Sequence, residues 1–313
     1  MIKVDLITGF LGSGKTTFIK RYCSYCMEQG ESICILENDY GAVNVDMMLL
    51  KELECEKCDL EMIAGGCDAD CHRRRFKTKL ITMAMFGYDR VIIEPSGIFD
   101  VDEFFDLLHE EPIDGRYEID HVITVVRGNL EENMTPDSDY LLASQIADAG
   151  AIVFSHMDET QEDKLIKTIA HINRALKQIK CKRVLQREDP DLFAINMSDF
   201  TDEDLKNIQK NHYQKYSYEK MFSMDQNQFD SMFFMNLEIS LEDLKMKIPL
   251  FFQNPELGNI IRVKGFYYDP EKELWYELNG TSDGLEIDEI PEGQNILIVI
   301  GENLNKKKLE SFL

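Results

Sequence analysis

No apolar run in the 313 residues reaches the ~18 that a membrane-spanning helix needs. The N-terminal apolar stretch is interrupted by Asp5, so it reads as a strand and not as a signal peptide or a span. Basic residues are scarce: 34 Lys and Arg stand against 58 Asp and Glu, a formal net charge of −24. That balance opposes binding to nucleic acid or to an anionic membrane surface, and points to a protein or metal-ion partner. There is no internal repeat and no low-complexity tract. The expected setting is the cytoplasm, and the sequence does not define an oligomeric state. The eight cysteines are therefore expected as thiols, metal ligands or redox groups, because a reducing compartment does not sustain structural disulfides.

What the chain does have is a phosphate-binding loop in its required setting. Residues 2–17, IKVDLITGFLGSGKTT, run from an apolar strand into a glycine-rich turn and then a helix. Gly9, Gly14, Lys15 and Thr16 fill G-x-x-x-x-G-K-[ST], with Gly12, Ser13 and Thr17 completing the loop. In such a loop backbone N–H groups close on the phosphates, the lysine reaches the outer ones and the threonine hydroxyl coordinates magnesium.

From there helix and strand alternate. A helix is expected over 14–29 and a buried strand from Ser32. Further strands are expected at 60–64, 89–94, 121–126, 151–155 and 192–196, with helices near 100–110 and 159–179. The pattern predicts an α/β P-loop NTPase fold, a mainly parallel sheet flanked by helices, over residues 1–216. Residues 217–232 lose the rhythm and read as a linker. A smaller α+β domain over 233–313 follows, with strands FFMNLEIS, NIIRVKGFYY, LWYELN, LEIDEI and NILIVIG and helices near 241–248 and 303–313.

Two further segments fit a nucleotide. DRVIIEPSGI delivers Glu94 to a strand's C-terminal end, where it can join the magnesium shell, with Gly97 three residues on to sense the terminal phosphate. After AIVF comes Ser155-His156-Met157-Asp158, where base-reading loops of GTPases carry an N-K-x-D-like motif; Asp158 accepts from guanine N1–H and the N2 amino group, a donor pair adenine lacks. His156 stands where lysine packs over the base. The alternatives are a plain buried strand and turn at Glu94, and a helix N-cap at Asp158.

Between these segments lie Cys55-x2-Cys58-x8-Cys67-x3-Cys71, with His72 adjacent. The four thiols fit a tetrahedral zinc site, with Asp68, Asp70 and His72 as alternative donors; an iron–sulfur cluster and free reduced thiols are the other readings. Cys23 and Cys26 share a helical face and are explained by packing, Cys34 and Cys181 carry no site signal, and Arg73, Arg74 and Arg75 read as a solvated helix face.

GFLGSGKTT (9–17), ENDYGAVNVD (37–46), GGC (65–67), EPSG (94–97), IRVKGFYY and the final IVIGENL together resemble the CobW-like P-loop GTPases, relatives of the nickel-insertion GTPases that serve urease and hydrogenase. The resemblance implies a metal-responsive GTPase whose switch region, starting at Glu37-Asn38-Asp39, joins the nucleotide to a metal site on a G-C-x-C-C motif. Here Cys67 matches the motif's first cysteine, its next two cysteine positions hold Ala69 and Asp70, and Cys71 comes one place later. Cys55 and Cys58 are then candidates to restore the missing thiolates, and Glu37 is the acidic metal-site residue. No histidine-rich tract is present.

The expected function is a GTP-hydrolysing metallochaperone or metalloenzyme-assembly factor using GTP/GDP, Mg2+ and Zn2+ or another transition metal, with a client metalloprotein as partner. Lys15 stabilises the transferring phosphoryl group, Thr16 and Glu94 hold magnesium, and Asp39 or Asp46 positions water. The competing readings are a P-loop small-molecule kinase or ligase with structural cysteines, and a scaffold that holds nucleotide without hydrolysing it.

Overall fold

A computed structural model describes residues 1–39, 45–64, 69–97, 101–130, 134–219, 229–235, 237, 239–270 and 272–313; the side chains of 39, 45, 64, 69, 70, 102 and 103 are outside the description. The chain divides into two compact units, Met1–Phe222 and Ser223–Leu313.

The first unit runs β1 (Ile2–Thr8), α1 (Lys15–Glu28), β2 (Ile33–Asp39), α2 (Val45–Leu50), β3 (Cys58–Ala64), α3 (Ala69–Met83), β4 (Arg90–Pro95), α4 (Val101–Leu108), β5 (Tyr117–Arg127), α5 (Pro136–Ala147), β6 (Ala151–Ser155), α6 (Glu162–Gln178), β7 (Leu192–Ala194) and α7 (Asp202–Ile208). The seven strands form one sheet in the order β3-β2-β4-β1-β5-β6-β7, with every pairing parallel. A parallel sheet is covered on both faces, so its strands read as continuous apolar runs. All six residues of β4 are buried. On one face Ile7, Ile33, Ile35, Ile92, Ile123 and Val153 meet Phe18, Ile19 and Tyr22 of α1. Each such side chain contributes about 1.5–3 kcal/mol by burial.

Asp5, the polar interruption in β1, is fully buried and is answered in place. Arg90 Nη1 donates to both its oxygens at 2.8 and 2.6 Å, Tyr22 Oη donates at 2.6 Å, and His121 Nδ1 lies 2.9 Å away. Arg90 also donates to Glu31 at 2.7 and 3.1 Å, and His121 Nε2 donates to the Gln209 carbonyl at 2.8 Å. A buried charge is tolerated only when paired and hydrogen-bonded, and this network ties β1, β4, β5 and α1 together.

The second unit runs β8 (Phe229–Met235), α8 (Leu241–Phe251), β9 (Asn259–Asp269), β10 (Leu274–Thr281), β11 (Gly284–Ile290), β12 (Ile296–Glu302) and α9 (Lys306–Phe312). Its sheet is antiparallel in the order β11-β10-β9-β12-β8. Leu244, Ile248 and Phe251 of α8 join Val263, Leu278 and Val299 in its core. The α/β class and the α+β C-terminal domain are as expected, and three details differ. The strand expected over 233–240 begins at Phe229, so 229–232, assigned to the linker, is strand. Helix α8 continues past the expected 248 to Phe251, with Pro249 inside its last turn. Helices α2, α5 and α7 were not foreseen, and α3 only as the helix face carrying Arg73–Arg75; nine residues of α5, polar ones included, are buried, which erases amphipathic periodicity.

Candidate functional site

The C-terminal end of β1 feeds the glycine loop, and the geometry explains its glycines. At Gly9, φ is +147°, and a Cβ would stand 2.2 Å from the Val125 carbonyl oxygen. At Gly14, φ is +86°; this residue caps α1 without a side-chain hydrogen bond, which leaves the helix's first N–H groups aimed at a ligand. Lys15 is buried and its Nζ donates across the loop to the Gly9 carbonyl at 3.0 Å. Around the same strand ends, Thr8 Oγ1, Ser13 Oγ and both amide atoms of Asn38 are buried without a hydrogen-bond partner. Buried polar groups are ordinarily paired, so this set fits a polar ligand such as a phosphate chain.

Thr16 Oγ1 lies 3.5 Å from Asp46 Oδ1 and 3.4 Å from Glu94 Oε1. Such separations are long for strong hydrogen bonds; three oxygens converging this way, two of them carboxylate, suit a hard divalent cation. Asp46 comes from the first turn of α2 and the buried Glu94 from the end of β4. Gly97, just beyond, packs so closely on the glycine loop that a Cβ would lie 2.9 Å from Leu11 N. The Asp39 side chain lies outside the description.

At the other side of the loop, Ser155 ends β6 and His156 takes φ +54°. A Cβ at Gly14 would lie 3.5 Å from Ser155 Cβ and 3.9 Å from His156 Cε1, so these residues border the loop. Ser155 Oγ and His156 Nδ1 are 2.9 Å apart, and Thr160 Oγ1 donates to the His156 carbonyl at 2.6 Å, fixing the turn that carries the exposed Asp158. Sequence reasoning missed Asn196, beyond the neighbouring strand β7, whose Oδ1 is buried without a partner while Nδ2 donates to Asp199 at 3.2 Å. Its signal was a polar amide ending the apolar run LFAIN.

The expected four-thiol site is not assembled. Cys58 opens β3 and Cys71 lies in α3, past the strand's far end. At about 3.3 Å per residue the strand separates them far beyond any shared ion. Cys58 also packs into the core shared with α1, whereas Lys79 of α3 ion-pairs with Glu61, on the opposite face of β3. Cys67, Asp68 and the Asp70 side chain lie outside the description. The structure instead brings Glu37 and Cys71 to a common neighbour: Glu37 is in register with Met62 and with Glu94, and Cys71 lines a surface pocket with Met62, Ile63, Arg74 and Arg75. His72 is buried. Of the Arg73–Arg75 run, Arg73 pairs with Glu110 and is not simply solvated.

Among the described residues, Asp120, His121 and His212 place donor atoms within 4.8 Å of one another. Arg90 Nη1 stands 3.3 Å from both Asp120 and His121, and His121 is already engaged by Asp5 and Gln209, so the group disfavours a cation.

A parallel sheet with a glycine loop, its lysine and a convergent hydroxyl and two carboxylates at the strand ends defines a P-loop nucleotide-binding protein. The chain belongs to the CobW/HypB/UreG family, whose nucleotide-binding domain matches residues 3–185. It is 28% identical over 184 residues to the zinc chaperone YjiA of Escherichia coli (strain K12), covering 55% of each chain. To the zinc chaperone YeiR of the same organism it is 30% identical over 161 residues, covering 51% of this chain and 48% of the relative. The chain thus spans about half the length of the curated relatives it matches. The crystal structure of Zn(II)-bound YjiA GTPase from E. coli is similar at 17% identity, covering 99% of this chain and 97% of that one, with a TM-score of 0.39.

Proposed function

We propose that this protein is a GTP-hydrolysing metallochaperone that carries zinc and couples its metal site to the nucleotide switch. The observation that carries the proposal is the convergence of Thr16, Asp46 and Glu94, with Glu37 in register beside Glu94. Its zinc-carrying relatives and the absence, among the described residues, of any helix long and apolar enough to cross a membrane accord with work in the cytoplasm on a client metalloprotein. The GTPase work belongs to residues 1–216.

In this reading the first N–H groups of α1 and the loop backbone hold the phosphates, and the Lys15 ammonium stabilises charge developing on the transferring phosphoryl group. Thr16 Oγ1, Asp46 and Glu94 would hold magnesium, which would supply charge neutralisation for the phosphate chain. Asp46 thereby takes a magnesium-binding role in place of water positioning. Ser155, His156 and Asp158 read the guanine. Zinc, the cargo, is held by Glu37 with Cys67 and Cys71. Because Glu37 on β2 is in register with Glu94, which converges on Thr16 with Asp46, a nucleotide-dependent change at Asp46 and Glu94 alters the zinc site.

The test is turnover of GTP by the purified chain with Mg2+, with and without Zn2+. Turnover that zinc modulates and Lys15→Ala abolishes supports the reading; nucleotide left intact after long incubation under both conditions overturns it.

A further inference from the structure

Cys55 and Cys58, excluded from the nucleotide-linked site, form part of a different arrangement. Cys55 N donates to Cys58 O and Cys58 N donates to Cys55 O, each at 3.0 Å, closing a hairpin around Glu56 and Lys57. Residues paired in this way send their side chains to the same side. That side faces α1. Cys58 is buried among Cys23 and Cys26 with Met27 packed against the cluster, and Cys55 Sγ lies 3.7 Å from Met27 Sδ. Cys55 itself is exposed, which opens the sulfurs to solvent.

Sulfurs sharing one metal at about 2.3 Å stand roughly 3.8 Å apart in tetrahedral geometry and about 4.0 Å apart in trigonal geometry. The Cys55–Met27 contact already has that spacing. A thioether is a poor ligand for a hard cation, and thiolate with thioether selects soft ions, Cu(I) above all. We propose that Cys55, Cys58 and Met27 form a site for a soft monovalent cation of the Cu(I) class, at the end of the sheet away from the nucleotide.

Binding is an exchange without oxidation or reduction: the thiols release their protons to solvent as the two metal–thiolate bonds form. Cys71 and the zinc ligands take no part.

The experiment uses the reduced, metal-free full chain, titrated without oxygen with Cu(I) against a chromophoric Cu(I) chelator. Cys55→Ser should weaken the tightest site by at least about 100-fold, and Met27→Leu by about 10-fold, given that even supporting groups are worth 10–100-fold in metal affinity. Cys71→Ser should leave that site unchanged. In selenomethionine-labelled protein, X-ray absorption at the copper edge should show one selenium neighbour, removed by Met27→Leu. Affinity unchanged in Cys55→Ser, or no selenium neighbour in the parent protein, overturns the proposal. Cys55 is exposed and Met27→Leu nearly conserves volume, so both variants should fold.

Discussion

Glu37 of β2 and Glu94 of β4 are register partners on adjacent parallel strands, and both are buried. Neighbouring strands lie about 4.8 Å apart, so a cation held by one carboxylate acts strongly on the other through a low-dielectric interior. Glu94 approaches Thr16 at 3.4 Å beside the glycine loop, and Glu37 is also in register with Met62 of β3. In the proposed function this pair is the link between hydrolysis and metal affinity.

Lys15→Ala should lower GTP hydrolysis by about 100- to 1,000-fold, the usual loss when a charge-stabilising donor is removed, while the sheet core stays intact. Single-turnover kinetics beside a circular dichroism spectrum check both halves. Near-normal turnover in the folded variant would remove the loop lysine from the mechanism.

Asp46→Asn should raise the magnesium concentration needed for half-maximal hydrolysis by about 10-fold, as loss of one carboxylate from a metal site does. If Asp46 positions water instead, the magnesium dependence stays put and only the maximal rate falls. Steady-state rates across a magnesium series separate the two.

GTP should outcompete ATP, and Asp158→Asn should narrow that preference by about 10-fold or more, because guanine's donors are then poorly matched. Competition binding with labelled GTP measures it. Equal affinities for both nucleotides in the parent protein would remove Asp158 from base recognition.

Much of the nucleotide half was legible because the chemistry is local. Strand, glycine turn, lysine and threonine follow one another without a break, and Glu94 comes at the end of an unbroken apolar run. The cysteines were misread for the opposite reason. The four-thiol reading used spacing alone and did not weigh the strand expected at 60–64, which carries Cys58 and Cys71 to opposite ends of β3. Asp46 was a candidate for positioning water; only folding brings it to Thr16, thirty positions earlier, where the proposed function has it hold magnesium. Arg90 and His121 gave no signal as partners of Asp5, because the contacts cross strands β4, β1 and β5.

Arg90→Ala should destabilise the first unit by about 3–5 kcal/mol, the cost of removing one partner of a buried ion pair, read as a shift of the denaturant midpoint. The network also sets a pH window. Burial raises the Asp5 carboxyl, but the His121 hydrogen bond and the charges of Arg90 and His121 outweigh it and hold it below the ordinary 3.8. Burial lowers His121, but the hydrogen bond and charge of Asp5, with Asp120, hold it above 6.5. The Asp5 contribution is present above pH 3.8 and lost as pH falls through its lowered folded value. The His121 contribution is complete below pH 6.5 and lost as pH rises through its raised one. The stability gap between the parent and Asp5→Asn should therefore be widest between those two limits and narrow on either side; a gap independent of pH would contradict it.

The central claim is that zinc and nucleotide report to each other, and one titration tests it most directly: zinc affinity of the full chain bound to GDP against a non-hydrolysable GTP analogue. The account predicts affinities differing by at least about 5-fold, with zinc shifting the analogue's affinity relative to GDP by the same factor, as linkage requires. The difference should vanish in Glu37→Gln. Equal zinc affinities in the two nucleotide states would contradict the coupling and leave a GTPase and a metal site that merely share a sheet.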